Sequence, residues 1–365
     1  YKYLFSEELG LVIETNKPNI VSSMLHKIVP VHKLGYVTEK KVINITYNNY
    51  LLLSSSINFY RNIWMKFGYN MLEMHTNKKC VTSELHRTWE IPNHTINFKH
   101  DDFVYARIHK PLGQFTIGIL REEGSNGDKE MAFAFYNAGF VVKDINMRDI
   151  VKNGGKILRE LHGLVFVGGF SYADALGAAS GWASTILLNE KIKYEFNNFY
   201  FNLNKFSFGI CNGCQLMGLL DWVPGKCIEN DSERFESRYV NVKIMKSNSI
   251  MLKDMENSTL GVWVAHGEGK ITETNKCLET YPVRYVNYKN EITMDYPENP
   301  NGSQFGIAGM CSKNGRHIAM MPHPERGLIT WQNPWVPKEW ENNKYYPWKK
   351  LFDNAYNWCC ENKFK

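Results

Sequence analysis

The chain has 365 residues, 44% of them hydrophobic, and a net charge of +6 carried by scattered basic residues. That suits one large buried core with a smaller second unit, and it excludes a basic stripe for nucleic acid and any apolar run long enough to cross a bilayer. Eight cysteines without framework spacing, in a chain too long to need cross-links, point to reduced thiols; with no secretory-type leader this gives a cytoplasmic protein. The sequence opens on Tyr1 rather than methionine, so upstream sequence is expected to be missing.

Residues 1–110 hold Asn-rich polar stretches, one helical segment over 57–72, and a connector over 94–110. From residue 115 the texture becomes strand, turn, helix, repeated. Residues 115–120 form an apolar strand, and 121–128 (REEGSNGD) a polar turn with Ser125 and Asn126 available as helix caps. In the helix that follows, Met131, Ala134, Phe135 and Ala138 share one face and Gly139 supplies the stop. Further strands over 140–145 and 164–167 lead to Gly168-Gly169-Phe170-Ser171 and another helical stretch. Strands alternating with helices at this spacing make a mainly parallel sheet flanked by helices, an α/β fold whose functional loops sit at the strand C-termini.

Residues 207–217 (SFGICNGCQLM) run from a short strand into Gly-x-Cys-x-Gly and a helix, which puts Cys211 on a tight turn at a helix N-terminus. Unpaired N–H groups and the positive end of the peptide dipoles face such a sulfur, an environment that suits a nucleophile. Gly209 and Gly213 allow the sharp bend. After residue 236 short β-rich segments (238–245, 260–266, 282–286, 305–311, 317–321) extend the sheet or add an antiparallel edge. The last of them runs into Pro322-His323-Pro324-Glu325. Extended residues two apart face one side, so Glu325 would hold one nitrogen of His323 while the other faces the thiol. Cys211, His323 and Glu325 then read as nucleophile, base and orienter.

Blander readings stand beside these. Cys211 and Cys214 form a C-x-x-C, a pattern shared by redox pairs and half zinc sites. No second ligand pair supports zinc, and Cys214 reads as a packed residue, so no metal is expected. His266 reads as structural, and His317, after Gly315-Arg316, as facing solvent. REEGSNGD resembles an anion-binding loop but is taken as structural or interfacial. The Trp-rich tail, with a helix over 348–359, is read as packing cover.

Taken together, ILREEGSNGDKEM (119–131), FVGGFSYADALGAASGWA (166–183), FGICNGCQLMGLL (208–220), RFESRYVNV (234–242), WVAHGEGK (263–270), ENPNGS (298–303) and MMPHPERG (320–327) resemble the glutaminase domain of the formylglycinamide ribonucleotide amidotransferase (phosphoribosylformylglycinamidine synthase) family. The resemblance covers residues 111–365 closely. FSEELGLVIE (5–14) and residues 64–85 are similar to the tail of that family's ATP-binding synthase region. It implies a class I glutamine amidotransferase domain of flavodoxin-like fold over 111–365, after a small α+β remnant of the synthase region and a connector over 1–110.

By the same resemblance, Cys211 attacks the side-chain amide of L-glutamine, with His323 and Glu325 completing the triad. N–H groups of Gly168, Gly169 and Asn212 form the oxyanion hole. Gln215 contacts glutamine, and Arg238, Asn301, Gly302 and Ser303 line its pocket. Ammonia passes to a synthase region that uses ATP and Mg2+, in the same polypeptide or a partner chain, for purine synthesis; this chain itself is expected to hold no cofactor. Two alternatives remain at this stage: a glutaminase serving another acceptor, and a non-catalytic assembly domain.

Overall fold

The computed structural model describes residues 9–87, 93–99, 114–272 and 277–362; residues 100–110 of the expected connector lie outside that set. The chain separates into two units, Tyr1–Asn70 and Met71–Lys365. The first carries helix α1 (Pro18–Leu25), an antiparallel hairpin of β1 (Val42–Tyr47) and β2 (Tyr50–Ser56), and most of helix α2 (Ile57–Leu72). The helix falls on the expected residues. The hairpin is not among the expected elements. It turns on Asn48 and Asn49, both left-handed at φ +46° and +66°, a conformation that asparagine tolerates better than most residues.

In the second unit, helix α3 (Lys78–Leu85) is followed by β3 (Thr116–Arg121), α4 (Asp128–Ala138), β4 (Val141–Asn146), α5 (Met147–Lys152) and β5 (Gly163–Phe166). Then come α6 (Ser180–Leu187), α7 (Glu190–Phe201), β6 (Phe206–Ile210) and α8 (Asn212–Leu219). Beyond these lie β7 (Lys226–Ile228), β8 (Glu236–Ile244), β9 (Thr259–His266), β10 (Lys270–Thr272), β11 (Val283–Val286), β12 (Ile307–Cys311), β13 (His317–Met320) and helix α9 (Lys349–Asn362). Nine strands form one sheet in the order β4-β3-β5-β6-β13-β12-β11-β8-β9, while β7 and β10 pair separately.

The sheet is mixed. Strands β4, β3, β5, β6 and β13 run parallel, and the four from β12 to β9 pair antiparallel. Every residue of β5, β6 and β13 is buried, as strands covered on both faces require. In β8, Val240, Val242 and Ile244 point into the core while Asn241 and Lys243 are half exposed, the alternation of a sheet covered more on one face. Helix α4 buries the four residues expected of it, and Gly139 at φ +109° ends it. Its N-cap is Gly127, whereas Ser125 accepts a hydrogen bond from Glu122 N–H inside the preceding turn. Helix α9 covers α4 from outside, with Phe352 edge-on to Phe135 at 5.1 Å.

One expectation fails. His317 lies wholly buried in β13, with Nδ1 paired to Ser207 Oγ at 2.8 Å and Nε2 donating to Tyr200 C=O at 3.0 Å. The turn before it ends earlier than the sequence suggests, because Gly315 and Arg316 already close the hairpin from β12.

Candidate active site

Strand order explains how distant residues meet. Strands β6 and β13 are parallel neighbours in register, Gly209 opposite Ala319 and Ile210 opposite Met320. Cys211 follows the C-terminal end of one, and His323 lies just past the end of the other. On the far side of β6 lies β5, which leads into Gly168-Gly169. All three loops therefore open on one edge of the sheet.

Cys211 sits at φ +52° and ψ −107°, a conformation that a non-glycine residue rarely adopts, so the expected sharp turn is strained as well as tight. Its N–H donates to Met320 C=O at 2.9 Å, and its carbonyl accepts the first helical bond, from Gln215 N–H at 3.0 Å. The following turn packs closely on β5: a Cβ at Gly213 would lie 2.1 Å from Phe166 O. The thiol is 6% exposed and donates to Ala265 C=O at 3.4 Å.

His323 and Glu325 are 1% and 3% exposed, and His323 Nδ1 lies 2.6 Å from Glu325 Oε1. The local geometry differs from the extended one expected. Residues Pro324–Gly327 form a 3-10 turn that swings the carboxylate back under the ring, while His323 N–H is anchored on Trp263 C=O at 2.8 Å. Burial works against a charge on this imidazole, but the Glu325 carboxylate beside it outweighs burial and the adjacent Cys211 adds to the rise, holding the ring's pKa up at about 9. Its Nε2 has no hydrogen-bond partner among the described residues. A single carbon placed as Cβ on Gly168 would lie 3.0 Å from His323 Cε1 and 3.5 Å from Cys211 Cβ, so imidazole and thiol flank the same point.

Gly169 adopts φ +134° and is clamped by two backbone bonds, Asn126 N–H to Gly168 C=O and Phe170 N–H to Gly124 C=O, both 2.9 Å. A Cβ there would strike Gly124 O at 2.6 Å. The REEGSNGD turn thus buttresses this loop, and Arg326 Nη2 reaches across to Asn126 Oδ1 at 3.0 Å, tying the turn to the residue next to Glu325. Asn212 binds outward with its side chain: Oδ1 accepts Ser171 N–H at 3.4 Å, and Nδ2 donates to Gln215 Oε1 at 3.0 Å. Gln215 Nε2 donates in turn to Glu268 C=O at 2.7 Å.

The remaining expected pocket residues are engaged within the protein. Arg238 is paired to Glu236 at 2.7 Å and Glu84 at 3.0 Å. Asn301 donates to Tyr285 OH at 3.2 Å and toward His266 Nε2 at 3.5 Å, and its Oδ1 accepts from Ser303 Oγ at 2.6 Å. Gly302, at φ +78°, leaves room for Asp231, whose Oδ2 would be 1.9 Å from a Cβ there. His266 is buried, and burial together with the charge of His323 pushes its pKa down to about 4, leaving it neutral. Cys214 is buried beside Cys227, as its packed reading expects. Among the described residues no cluster of three His, Cys, Asp or Glu side chains is arranged to hold a metal ion.

Sequence reasoning missed Asn230. It is 2% exposed and grips the loop after β9, with Nδ2 donating to His266 C=O at 2.8 Å and Oδ1 accepting Gly269 N–H at 2.9 Å. No motif flags it, since a buried asparagine in a loop reads like any turn residue.

Residues 114–359 match the family of CobB/CobQ-like glutamine amidotransferase domains. This chain belongs to that family. Beyond the amidotransferase domain, 98% of the chain aligns with relatives named phosphoribosylformylglycinamidine synthase, at 38% identity in Dictyostelium discoideum and 35% in Homo sapiens, and at 40% with one named probable and chloroplastic/mitochondrial in Arabidopsis thaliana. The chain spans 30%, 29% and 27% of those proteins' lengths. Among solved structures, PurLQS from Thermotoga maritima shares the fold, with a TM-score of 0.52 at 23% identity over 67% of this chain and 98% of that one. The α/β amidotransferase architecture expected from the sequence is the observed one.

Proposed function

We propose that this amidotransferase is the glutaminase part of a phosphoribosylformylglycinamidine synthase: it hydrolyses L-glutamine and supplies ammonia for ATP-dependent amidation of formylglycinamide ribonucleotide in purine synthesis. The observation that carries the reading is His323, bonded to Glu325 through one nitrogen and open at the other beside Cys211. Cys211 gives its thiol proton to His323 Nε2 as its sulfur attacks the amide carbon of glutamine, and the oxyanion is met by N–H groups of Asn212 and of Gly168 or Gly169. An imidazole that keeps its proton up to about pH 9 is a ready acid for the departing ammonia. The C–N bond breaks, ammonia leaves, and a γ-glutamyl thioester remains. Water then attacks the thioester as His323 takes up its proton, the C–S bond breaks, and His323 returns the proton to the sulfur, releasing glutamate with the thiol restored.

Gln215 is assigned to the bound glutamine. Arg238, Asn301, Gly302 and Ser303, engaged as they are, are assigned to shaping the pocket wall. ATP and Mg2+ chemistry belongs to a synthase region outside this chain, in one polypeptide with it or in a partner. We assign residues 1–110 to the tail of that region and its connector, and 111–365 to the glutaminase domain. In support, the family match begins at residue 114 while the similarity to the relatives runs over 98% of the chain. Trp64 and Phe67 of α2 are 83% and 75% exposed, which fits a piece whose packing partner lies elsewhere in the longer proteins. Among the described residues no helix is long and apolar enough to cross a membrane. The cytoplasmic assignment rests on the eight cysteines lacking the spacing of a disulfide framework.

Labelling with a glutamine-analogue electrophile and peptide mapping tests the reading. Modification of Cys211, blocked by glutamine and absent in Cys211→Ala, is the expected result; labelling at Cys214, or none, overturns it. Adding a synthase partner should raise glutamine turnover, and equal rates with and without it would defeat the proposed coupling.

A further inference from the structure

Helix α3 lies outside the matched amidotransferase residues, yet it is docked on β8 and the loops beside it, one strand from β9, whose Ala265 carbonyl accepts the reactive thiol. Four contacts hold it. Asn77 N–H donates to Ser232 C=O at 3.4 Å, Ser83 Oγ donates to Tyr296 C=O at 2.5 Å, Arg238 Nη1 pairs with Glu84 Oε1 at 3.0 Å, and just past the helix Arg87 Nε pairs with Glu298 at 2.6 Å. The Glu84 and Arg238 side chains are 13% and 19% exposed. Behind them Glu236, 1% exposed, accepts Arg238 Nε at 2.7 Å and Arg234 Nε at 3.0 Å, and Tyr296 OH bridges both arginines. Glu236, Arg234, Tyr296 and Arg238 therefore close a mostly buried ring, and Glu84, attached to it through Arg238, brings the two carboxylates and two guanidinium groups to neutrality.

The same segment grips the site on its other side. Across the β8–β9 ladder Glu236 stands opposite His266 and Ser237 opposite Ala265, whose carbonyl accepts the Cys211 thiol. Asn230 holds the loop after His266 at three points: its N–H to Gly267 C=O at 2.9 Å, its Nδ2 to His266 C=O at 2.8 Å, and Gly269 N–H to its Oδ1 at 2.9 Å. That loop supplies the Glu268 carbonyl on which Gln215 rests. Residues 230–238 form a bracket, with α3 latched to one face and the peptides that meet Cys211 and Gln215 fixed to the other.

We propose that Glu84 is a positioning residue for the glutaminase site, and that helix α3 acts through it to set the reactivity of Cys211. The inference rests on the glutaminase reading. It deepens that reading by naming the contact that couples the site to a helix outside the matched amidotransferase residues. Breaking the Glu84 pair leaves two guanidinium groups, Arg234 and Arg238, sharing the single Glu236 carboxylate, and the bracket must shift to spread that excess positive charge. A shift at Glu236 is transmitted to Ala265 and His266 by the ladder and to Glu268 by Asn230. The physical link is a row of packed hydrogen bonds, which a coupling measurement can test directly.

The experiment uses the full chain, with Glu84→Gln, Asn230→Ala and the double variant. Cys211 alkylation by iodoacetamide is followed by peptide mapping, alongside glutamine turnover and thermal melting. Glu84→Gln should slow alkylation of Cys211 about tenfold and lower kcat by a similar factor with KM changed less than twofold, at a temperature well below its melting point. The double variant should lose less than the product of the two single losses. A lowered melting point with wild-type alkylation and turnover, or independent losses in the double variant, makes α3 a staple only and overturns the proposal. Should Glu84→Gln fail to fold, Glu84→Asp, which keeps the charge but shortens its reach, must show the same slowing in smaller degree; wild-type alkylation there is equally fatal. A wild-type Cys211 that reacts with iodoacetamide but ignores the glutamine analogue sinks the glutaminase reading instead, while the variants' alkylation rates still decide the latch.

Discussion

The two halves of the sheet do different work. The parallel half ends in the groups proposed for the chemistry: Gly168 and Gly169 after β5, Cys211 after β6, and His323 beyond β13, each one strand from the next. The antiparallel half presents the opposing wall, with the Ala265 carbonyl on the thiol, neutral His266, and the ring of charge around Glu236. Parallel strands deliver chemistry because their C-terminal ends all open on one edge, where helix N-termini and unpaired N–H groups gather. Antiparallel strands return to the same edge and can only brace it. Substitutions in the first half should therefore reduce the rate steeply at little cost in stability, and substitutions in the second should cost stability first and lower the rate by about tenfold at most, through the alignment of Cys211.

Glu325→Gln strikes the parallel half hardest. The amide keeps the shape but removes the charge that holds the His323 proton, and can leave the ring in the wrong tautomer. Glutamine turnover should fall by about a thousandfold to ten-thousandfold, the scale seen when the orienting carboxylate of a triad is neutralised. The His323 titration midpoint, followed by NMR of the ring protons, should drop well below 9. A midpoint unchanged in the variant would mean that Glu325 does not set the charge.

Gly168→Ala comes next. The new methyl would sit 3.0 Å from His323 Cε1, so the ring must yield by a few tenths of an ångström, just where nucleophile and acid need alignment. Turnover should fall about ten- to a hundredfold, because misplacements of this scale are costly to reaction geometry. The melting point should move by only a few degrees. Asn230→Ala, on the opposing wall, reverses the balance. It strands buried partners in the 266–269 loop, which should cost about 1–3 kcal/mol in urea unfolding. A larger rate effect at Asn230 than at Gly168 would erase the distinction between the halves.

What the sequence disclosed follows the same division. The proposed nucleophile, its partner and the paired glycines lie in short contiguous motifs, since each is fixed by one strand end and the turn after it. Even there the mechanism differed: Glu325 reaches His323 through a 3-10 turn, although the spacing alone suggests an extended pair. The ion pair of Arg238 was not legible, because its partner Glu84 belongs to a helix far upstream and only the folded register brings them together. Asn230 and the Asn48-Asn49 hairpin escaped for a related reason: polar residues that satisfy backbone groups leave no apolar period behind. His317 was misread because the residue after a turn looks exposed until the neighbouring strand, with Ser207, is laid beside it.

Those buried histidines give the smallest expected effect and a fine test of the comparison, since one lies in each half. Burial, aided by Arg316, lowers the pKa of His317 to about 3, and burial, aided by His323, lowers that of His266 to about 4. Unfolded, both rings titrate near 6.5. Below that pH the unfolded chain takes up protons that the folded chain refuses, so each ring draws stability away as pH falls from 6.5 towards its folded value. His323 acts with the opposite sign. Its folded pKa of about 9 adds stability that is complete below 6.5 and gone above 9. In His317→Gln the amide can keep both hydrogen-bonding roles but binds no proton, so stability should fall less steeply between pH 6 and 4, by about 1.4 kcal/mol per pH unit, with turnover at neutral pH unchanged within about twofold. Urea unfolding at three pH values measures the slope. If His317→Gln flattens it while turnover stays intact, the base of β13 serves stability alone although its other end carries the chemistry; an unchanged slope would mean that His317 takes up its proton without the strand giving way.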